Sequence, residues 1–339
     1  MNEARVIPLH GLEQGKASPR NGPARKAVRR RGTHSEALPR VAPVIPSQPE
    51  SPDDAPAIPA STPEQPEPLS ALFDFLRRRL VGDYPIDEFG FDRELTDALL
   101  LPPMRALYQK WFRVEVSGAA NLPVTGGALL VANHSGTVPL DAAMAAVAVH
   151  DNHPDHRYLR ILAADLVFAT PLLGSLARKS GQTLACHPDA ERLLRAGELV
   201  GVWPEGFKGI GKPFSRRYQL QRFGRGGFVA AALRTGVPIV PVSIVGAEEI
   251  YPKIADLKPL ARLLGLPYFP ITPLFPVLGP LGMVPLPSKW HIDFGEPIDV
   301  SGTDPEDPML LFNLTDQVRA SIQQTLHRLI ASRGNPFFA

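Results

Sequence analysis

The chain has 339 residues, of which 44% are hydrophobic and 7% aromatic, so it is long enough for one large folded domain or two small ones. Its formal net charge is +2, and its only cysteine is Cys186. A single cysteine excludes a disulfide framework and a zinc site built from several cysteines, and so small a net charge identifies no partner. We therefore expect a globular protein in a reducing, cytoplasmic-side location.

Residues 1–68 differ in composition from the rest of the chain. They contain no Phe, Trp or Tyr, and they hold 13 of the 38 prolines. A segment with so little apolar surface cannot offset the entropy lost on ordering, so we predict a disordered, Pro-rich basic tail. Its basic cluster, Arg25 to Arg31, suits a solvated tail, an anionic membrane or a nucleic acid. We expect a solvated tail and no nucleic-acid partner.

Residues 69–112 are predicted to form an amphipathic helical region before the main domain. Its first helix carries three arginines, Arg77 to Arg79, and an apolar stripe that consists of Leu69, Leu72, Phe73, Leu76 and Leu80. Such a stripe packs on a core or lies on a membrane, and core packing is the expectation. A second helical stretch, residues 92–112, is interrupted by Pro102 and Pro103.

Strands and helices alternate through residues 113–335, which we predict to be one domain of the α/β class. The expected architecture is a single mixed, largely parallel sheet flanked by helices. The predicted strands span residues 114–118, 128–133, 158–168, 182–186, 199–203, 238–246 and 291–300. The predicted helices span residues 140–150, 189–196, 227–235 and 311–329. Because the stretch Val237 to Val242 contains two prolines, its strand is expected at a sheet edge or facing a site.

The stretch VANHSGTVPLD, residues 131–141, places a histidine where a buried strand ends. Gly136 permits a turn, and Pro139 suits the first position of a new helix. Seven residues of continuous helix would separate His134 from Asp141 by about 10 Å, so only a looped connection brings the two together. A carboxylate that holds one imidazole nitrogen leaves the other free to act as a general base. The alternative is a turn histidine and an aspartate that interacts with the helix dipole.

A second stretch, VWPEGFKG, puts a Pro-Glu-Gly turn after another buried strand. Ligands of open α/β sheets bind at the carboxyl ends of the strands, where this turn would lie. Three glycines and a run of cations follow, which suits a phosphate or another anion, although a solvated basic loop has the same composition. The glycines are Gly206, Gly209 and Gly211, and the cations are Lys208, Lys212, Arg216, Arg217, Arg222 and Arg225.

Four ordered blocks together resemble the glycerolipid acyltransferase family, which contains the lysophosphatidate acyltransferases. The resemblance covers about residues 114–300, more than half of the chain. The blocks are Asn133-His134-Ser135 with Asp141, then Gly181 to His187, then Pro204-Glu205-Gly206, and last Val237-Pro238-Ile239-Val240-Pro241. Each block alone has little specificity, but all four in this order are fairly specific.

The resemblance implies transfer of a fatty acyl group from acyl-CoA or acyl-carrier protein to a hydroxyl of a lysophospholipid or other glycerolipid. It implies no bound cofactor and no metal. In the family pattern His134 is the general base and Asp141 orients it. The implied acceptor-binding residues are Glu205, Gly206, Lys208 and His187, and the candidate anion-binding residues are Lys212, Arg216 and Arg217. Backbone N–H groups near Pro139 to Asp141 are candidates for binding the oxyanion.

Three features depart from the family pattern. Six residues, Ser135 to Leu140, separate the histidine from the aspartate, where the family usually has four. If these residues form a loop the pair survives, and otherwise the aspartate is structural. His187 stands where the family often has an arginine that binds the acceptor phosphate, which favours another acceptor, such as a lysophospholipid or diacylglycerol. Phe207-Lys208 replaces a small hydroxyl residue and an arginine, and lysine lacks bidentate geometry.

The apolar segment 263–287 is rich in proline and predicted to stay irregular. Its side chains, with Trp290, are expected to form an acyl-chain groove, a membrane-facing lip or ordinary core; they are Leu266, Tyr268, Phe269, Ile271, Leu274 and Phe275. No run approaches the roughly 20 apolar residues of a membrane-spanning helix. We therefore expect a membrane lipid surface as a partner, with peripheral or monotopic attachment on the cytoplasmic side.

Other chemistries have less support in the sequence. The segment HDNHPDH, residues 150–156, is dense in metal-binding side chains, but Pro154 breaks any regular face, so a polar loop is expected. A serine hydrolase would need a Gly-x-Ser-x-Gly turn, which the chain lacks. The main alternative is a non-catalytic lipid- or membrane-binding protein on the same scaffold, whose lipid binding would not depend on His134.

Overall fold

The structure, a computed structural model, describes residues 68–224 and 226–337. The predicted tail, residues 1–68, therefore lies outside the described residues except for Pro68, and so does Arg225 of the basic run. The chain divides into two units, Met1–Pro66 and Glu67–Ala339, and the described residues belong to the second. Among the residues that are described, no helix is both long and apolar enough to cross a membrane.

The four helices predicted in the main domain are all present, with ends within a few residues of those expected. Gly236, whose φ of +67° favours glycine, ends the helix that spans Gly227–Thr235. Asp307 caps the last helix by accepting from the N–H of Met309. The α-helices are α1 (Pro68–Val81), α2 (Arg93–Leu95), α3 (Leu101–Ala106), α4 (Leu140–Asn152), α5 (Asp165–Ala169), α6 (Leu173–Lys179), α7 (His187–Arg195), α8 (Phe207–Ile210), α9 (Gly227–Thr235), α10 (Lys258–Leu263) and α11 (Pro308–Ser332).

The predicted interruption of the helical stretch 92–112 takes the form of wider turns. The π-helical turns Thr96–Leu100 and Leu107–Trp111 continue α2 and α3, so the backbone stays helical from Arg93 to Trp111. The first of these turns comes directly before the α3 prolines, which lack the N–H groups that a regular α-helix would bond there.

A seven-stranded mixed sheet forms the centre of the described region. Its strands are β1 (Glu115–Ser117), β2 (Ala128–Ala132), β3 (Leu159–Ala163), β4 (Gln182–Leu184), β5 (Leu199–Val202), β6 (Ile239–Val245) and β9 (His291–Phe294). The strands β7 (Ala255–Asp256) and β8 (Pro270–Ile271) form a separate two-stranded ribbon. The strand order is β1-β9-β6-β2-β5-β3-β4. The five strands from β6 to β4 run parallel, whereas β9 is antiparallel to β6 and pairs in parallel with β1. This confirms the predicted α/β class with a mixed, largely parallel sheet flanked by helices.

The sheet has a hydrophobic core on each face, because neighbouring residues of its central strands point to opposite sides. In β2, Leu130 belongs to the core that contains Met144 of α4. Its neighbour Leu129 belongs to the core that contains Leu193 of α7 and Val318 of α11. All five residues of β2 are buried, which explains why this strand reads as a continuous apolar run.

The strand with two prolines is central and buried, so its predicted place at a sheet edge is wrong. β6 lies between β2 and β9, and all seven of its residues are buried. Pro241 lies between the isolated bridge of Ile239 with Ile298 and the ladder with β9 that starts at Val242. Its missing N–H therefore falls where the pairing with β9 is interrupted, and the strand tolerates it.

Two predicted strands are much shorter than expected. The strand predicted over residues 158–168 ends at Ala163, and α5 begins at Asp165, whose carboxylate suits the first turn of a helix. The strand predicted over residues 291–300 ends at Phe294. The next residue, Gly295, still donates to the carbonyl of Pro241, but the proline has no N–H to donate in return.

Apart from Leu69, whose side chain lies outside the described residues, the apolar stripe of α1 does not pack on the core as expected. The side chains of Leu72, Phe73, Leu76 and Leu80 are exposed. Its arginines contact the rest of the chain: Arg79 pairs with the buried Asp92 and stacks on the Tyr84 ring, and Arg78 pairs with Glu94. The charged side of α1 faces the protein, and the apolar side is left outward.

Candidate active site

His134 and Glu205 come together because their strands are neighbours in register. Val131 of β2 pairs with Val202 of β5, and each of the two site residues follows its paired valine by three positions. The backbone N–H of His134 donates to Oε1 of Glu205 at 2.8 Å. On the other side of β2, the Asn133 side chain bonds to both the N–H and the C=O of Ile244 in β6. The end of β2 is thus held from both neighbouring strands.

The six residues between His134 and Asp141 form a loop, and the pair is in contact. Nδ1 of His134 lies 2.8 Å from Oδ2 of Asp141. The same oxygen accepts from the N–H of Ser135, and Oδ1 accepts from the N–H of Ala142. Asp141 is fully buried, whereas the His134 side chain is 14% exposed. Despite the two additional residues between them, Asp141 therefore stays in contact with His134.

The partner of Nδ1 decides which imidazole nitrogen is available for chemistry. A carboxylate accepts the Nδ1 proton, so Nε2 carries the lone pair in the neutral ring. Nε2 has no hydrogen-bond partner in the described part of the chain. The Trp203 ring lies beside the imidazole, with ring centroids 6.0 Å apart. The arrangement can take a proton from a hydroxyl placed next to Nε2.

The connecting loop is held by Tyr268, which the sequence had placed only among the candidate groove residues. The hydroxyl of Tyr268 donates to the carbonyl of Thr137, and the hydroxyl of Thr137 donates to the carbonyl of Tyr251. Burial, with a contribution from the Asp141 and Asp256 carboxylates, raises the pKa of Tyr268 well above its usual value, so it remains a donor. No local motif indicates this contact, because Tyr268 belongs to the irregular segment 131 residues away.

Gly136 and Gly209 allow the close packing around His134. Gly136 has a φ of +75°, and a Cβ there would lie 2.9 Å from the carbonyl oxygen of Ala247. A Cβ on Gly209 would lie 2.7 Å from Cβ of Glu205 and 2.9 Å from Cβ of His134. The sequence interpretation assigned Gly209 to an anion cradle, and the structure instead places it against the histidine. In the sequence, Gly209 is distinguished only by its place three residues after the Pro-Glu-Gly turn.

Glu205 is buried and its carboxylate bonds inside the protein, in contrast to its implied acceptor-binding role. Oε1 accepts from His134, and Oε2 accepts from the N–H of Gln221 at 2.6 Å. Gly206, next in the chain, is exposed and has a φ of +54°. Glu205 therefore positions the histidine backbone, and the exposed backbone of the turn begins one residue later.

Lys212 is a buried structural cation, so its assignment as an anion-binding residue is wrong. Its Nζ lies 3.0 Å from Oε1 of Glu248 and 3.5 Å from Oε2 of Glu205. Burial raises the pKa of Glu248 to about 7, with the lysine acting in the opposite direction. Lys212 thus links the buried Glu205 and Glu248 carboxylates. The sequence does not reveal this group, because Glu248 lies far from the other two residues along the chain.

The remaining predicted residues lie at the surface. Lys208, Arg216 and Arg217 are exposed, which leaves their charges available to an anion. His187 is exposed at the start of α7, and its ring lies against the backbone of Gly227, where a Cβ would come within 2.6 Å of its Cε1. Of the candidate oxyanion donors, the N–H of Leu140 already donates to the carbonyl of Val138.

An apolar groove of about 510 Å³ adjoins the His134–Asp141 pair. Thr137, Val138 and Pro139 of the connecting loop form part of its wall. From the segment predicted to hold an acyl chain, the groove is lined by Leu266, Tyr268, Phe269 and Phe275. Ile271 and Leu274 do not line it, and Trp290 is buried in the core, where it stacks on Phe112.

The histidines of residues 150–156 bond to the protein. His150 contacts Arg105 and Asp151, Nε2 of His153 lies 3.2 Å from the carbonyl of Pro123, and Nδ1 of His156 lies 2.9 Å from the carbonyl of His150. In residues 68–337, leaving out 225, no group of three or more His, Cys, Asp or Glu is arranged to hold a metal ion.

Comparison with known proteins places residues 113–245 in a family. This stretch matches the family model described as Acyltransferase. A Mycobacterium tuberculosis protein named as uncharacterised is 62% identical over 273 residues, which cover 80% of this chain and 76% of the relative. A Mycobacterium leprae protein named in the same way is 61% identical over 273 residues, covering 80% and 74%. Among solved structures, the 1-acyl-sn-glycerophosphate acyltransferase PlsC of Thermotoga maritima matches 79% of this chain and 91% of its own, with a TM-score of 0.49 and 21% identity.

The matched stretch runs from just before β1 to the end of β6, so it contains His134, Asp141 and the Pro-Glu-Gly turn. It agrees with the four ordered blocks of the sequence and confirms the resemblance that they indicated. Residues 113–245 form an acyltransferase domain, and the chain belongs to the acyltransferase family that this model describes.

Proposed function

We propose that the protein transfers a fatty acyl group from an acyl thioester to a hydroxyl of a lysophospholipid or other glycerolipid, with His134 as the general base. The donor would be acyl-CoA or acyl-carrier protein. The observation that carries the proposal is the 2.8 Å contact between Nδ1 of His134 and Asp141, which leaves Nε2 without a partner among the described residues. A scaffold that only bound lipid would have no need for a buried carboxylate held against this ring.

The proposed reaction needs one proton acceptor and no covalent enzyme intermediate. Nε2 of His134 takes the proton of the acceptor hydroxyl while the oxygen attacks the thioester carbonyl carbon. Collapse of the tetrahedral intermediate breaks the carbon–sulfur bond, and the imidazolium returns its proton to the leaving thiolate. Asp141 stabilises the imidazolium formed between these steps, because it is fully buried and in direct contact with the ring.

The acyl chain is proposed to occupy the apolar groove beside the pair. The groove is walled by the same loop that connects His134 to Asp141, so a chain bound there would lie next to the reacting carbonyl. The exposed cations Lys208, Arg216 and Arg217 are the proposed contacts of an anionic headgroup or of the donor phosphates. Arg216 has no ion-pair partner in the described part of the chain, which supports this role.

The test is release of thiol from a long-chain acyl-CoA by the purified full chain, with lipid products identified by mass. Lysophosphatidic acid, other lysophospholipids and diacylglycerol would be compared as acceptors, and acyl-carrier protein as a second donor. We expect release with at least one acceptor and loss of about 10³-fold or more in His134→Ala, since general base catalysis is removed. The control is His327→Ala, which removes an exposed histidine of α11. Turnover retained in a folded His134→Ala protein would contradict the mechanism.

A further inference from the structure

Apolar side chains stay exposed around the groove beside His134. Six large apolar residues that line it are themselves exposed: Val138 by 37%, Leu166 by 36%, Leu173 by 48%, Phe207 by 44%, Leu266 by 40% and Met283 by 56%. Apart from Val138 of the connecting loop, they come from three segments, residues 166–180, 206–217 and 257–290, which therefore meet at this groove. We call these three segments the groove face.

The groove face also carries apolar side chains that project fully outward. Leu172 is 89% exposed and Val277 is 81% exposed. Leu172 has φ +63° and ψ −46°, a backbone conformation that a bulky residue rarely adopts. Apolar residues of soluble monomers are usually exposed singly, so a continuous group around one opening indicates an interaction surface.

The groove face is predominantly positive in charge. Its three segments contain nine Lys and Arg and no Asp or Glu. Each is directly preceded by one acidic residue: the exposed Asp165, the buried Glu205 and the half-buried Asp256. Lys212 is buried and Lys289 pairs with Glu115, but others are exposed. Lys208, Lys258 and Arg262 have no ion-pair partner among the residues that the structure describes. In the whole chain the two signs are nearly balanced, at 36 basic and 34 acidic residues, so the imbalance is local.

We propose that the groove face docks on an anionic lipid bilayer, with the apolar side chains inserted and the cations on the headgroups. Exposed aliphatic residues mixed with Lys and Arg are the composition that binds an anionic membrane surface. A second copy of the chain fits less well, because two such faces would bring cation against cation. The docked groove opens towards the acyl chains of the leaflet, so a lipid substrate enters without crossing water. The role in catalysis rests on the proposed function, but the docking itself does not.

The first experiment compares two matched variants in vesicle sedimentation. Val277→Asp places a carboxylate on the groove face. Val124→Asp does the same at an exposed valine before the amino end of β2, on the opposite edge of the sheet from His134. Vesicles would contain phosphatidylcholine with or without phosphatidylglycerol, and the full chain would be used, so any contribution of residues 1–68 is common to all samples.

We expect the wild-type protein to bind the vesicles that contain phosphatidylglycerol and to bind pure phosphatidylcholine more weakly. Val277→Asp should lower the partition coefficient by at least about tenfold, because a charge replaces an inserted aliphatic group. Val124→Asp should stay within about twofold of wild type. His134→Ala should bind as wild type does, which separates this proposal from the catalytic one. Equal binding by the two aspartate variants, or no binding by the wild type, would overturn it.

A second measurement reports on the face directly. A Val277→Trp variant should be quenched by brominated phospholipid in the vesicles, whereas Val124→Trp should give no quenching beyond that of the three native tryptophans. Quenching of the introduced side chain at position 124 but not at 277 would show that another surface docks, and would also overturn the proposal.

Discussion

Replacing Asp141 by asparagine should separate the electrostatic role of the carboxylate from its shape. The side chain is fully buried and accepts three hydrogen bonds, two at Oδ2 and one at Oδ1. An amide has one oxygen, so it satisfies only one of these two positions. If its oxygen faces His134, its NH₂ group opposes the N–H of Ala142. If it is reversed, the NH₂ group faces Nδ1 of His134 and the N–H of Ser135.

Both orientations are expected to slow the reaction. In the first, the imidazolium loses a charged partner and a hydrogen bond to a charged group is lost, worth about 1.5–3 kcal/mol. Since each 1.36 kcal/mol is about tenfold in rate, this loss lowers kcat by roughly 10- to 150-fold. In the second, the amide donates to Nδ1 and moves the ring proton to Nε2, which removes the base; a wrong tautomer of this kind costs about 10⁴-fold in a serine protease triad. We therefore expect a fall in kcat of about 10- to 10⁴-fold, depending on the orientation of the amide.

The assay is the initial rate of thiol release at saturating acceptor, with the product lipid measured in parallel. KM should change by less than about threefold, because the buried Asp141 side chain does not face a substrate. Asp307→Asn is the matched control, since it changes an exposed carboxylate that caps α11 into another good cap. A kcat for Asp141→Asn within threefold of wild type, in a protein with unchanged thermal stability, would refute the reasoning.

Three further predictions concern the support of the site. Gly209→Ala should lower the free energy of unfolding by about 1–3 kcal/mol and also slow thiol release, because its Cβ would lie 2.7 Å from Cβ of Glu205. Gly224→Ala, at an open position, should leave both the melting temperature and the rate of thiol release unchanged. Lys212→Ala should lower the free energy of unfolding in urea by about 3–5 kcal/mol, because the buried Glu205 and Glu248 lose their partner. Lys208→Ala removes an exposed lysine, so it should leave stability unchanged and raise KM for an anionic substrate. The raised pKa of Glu248, about 7 against an ordinary 4.5, means that the folded protein holds this proton more tightly than the unfolded chain does. Its contribution to the free energy of unfolding is therefore complete below pH 4.5 and lost as the pH rises through 7, a change of about 3 kcal/mol. Glu248→Gln should remove this slope between pH 5 and pH 8, and an unchanged slope in urea titrations would contradict the assignment.

The site residues that the sequence identified lie in segments whose backbone conformation depends on neighbouring residues in the chain. The apolar run before His134, the turn residues after it and the proline that precedes α4 predicted a strand, a loop and a helix in the places where they occur. The Pro-Glu-Gly turn after β5 was placed at the correct edge of the sheet for the same reason. Such features depend on backbone conformation over a few residues, which local side chains largely determine.

Other properties of the site follow from which distant segments meet. Whether six residues between His134 and Asp141 would keep them in contact depended on the loop contacts of Tyr268 and Ala247. Lys212 is buried and paired because it meets Glu248, which is 36 residues away in the chain. In the sequence this lysine is one of several cations in a basic run, and nothing local distinguishes the buried one from the exposed ones.

By itself, then, the sequence determined the alternation of strands and helices, the positions of His134 and Glu205 after strand ends and of Asp141 at the start of a helix, and the family. Only the tertiary structure decided that Pro241 lies in a central strand, that Glu205 and Lys212 face inward, and that the apolar side of α1 faces outward. The physical reason is that burial and ion pairing are properties of contacts between segments. A residue type limits which contacts are favourable, but the register of the sheet and the packing of its helices select the contacts that form.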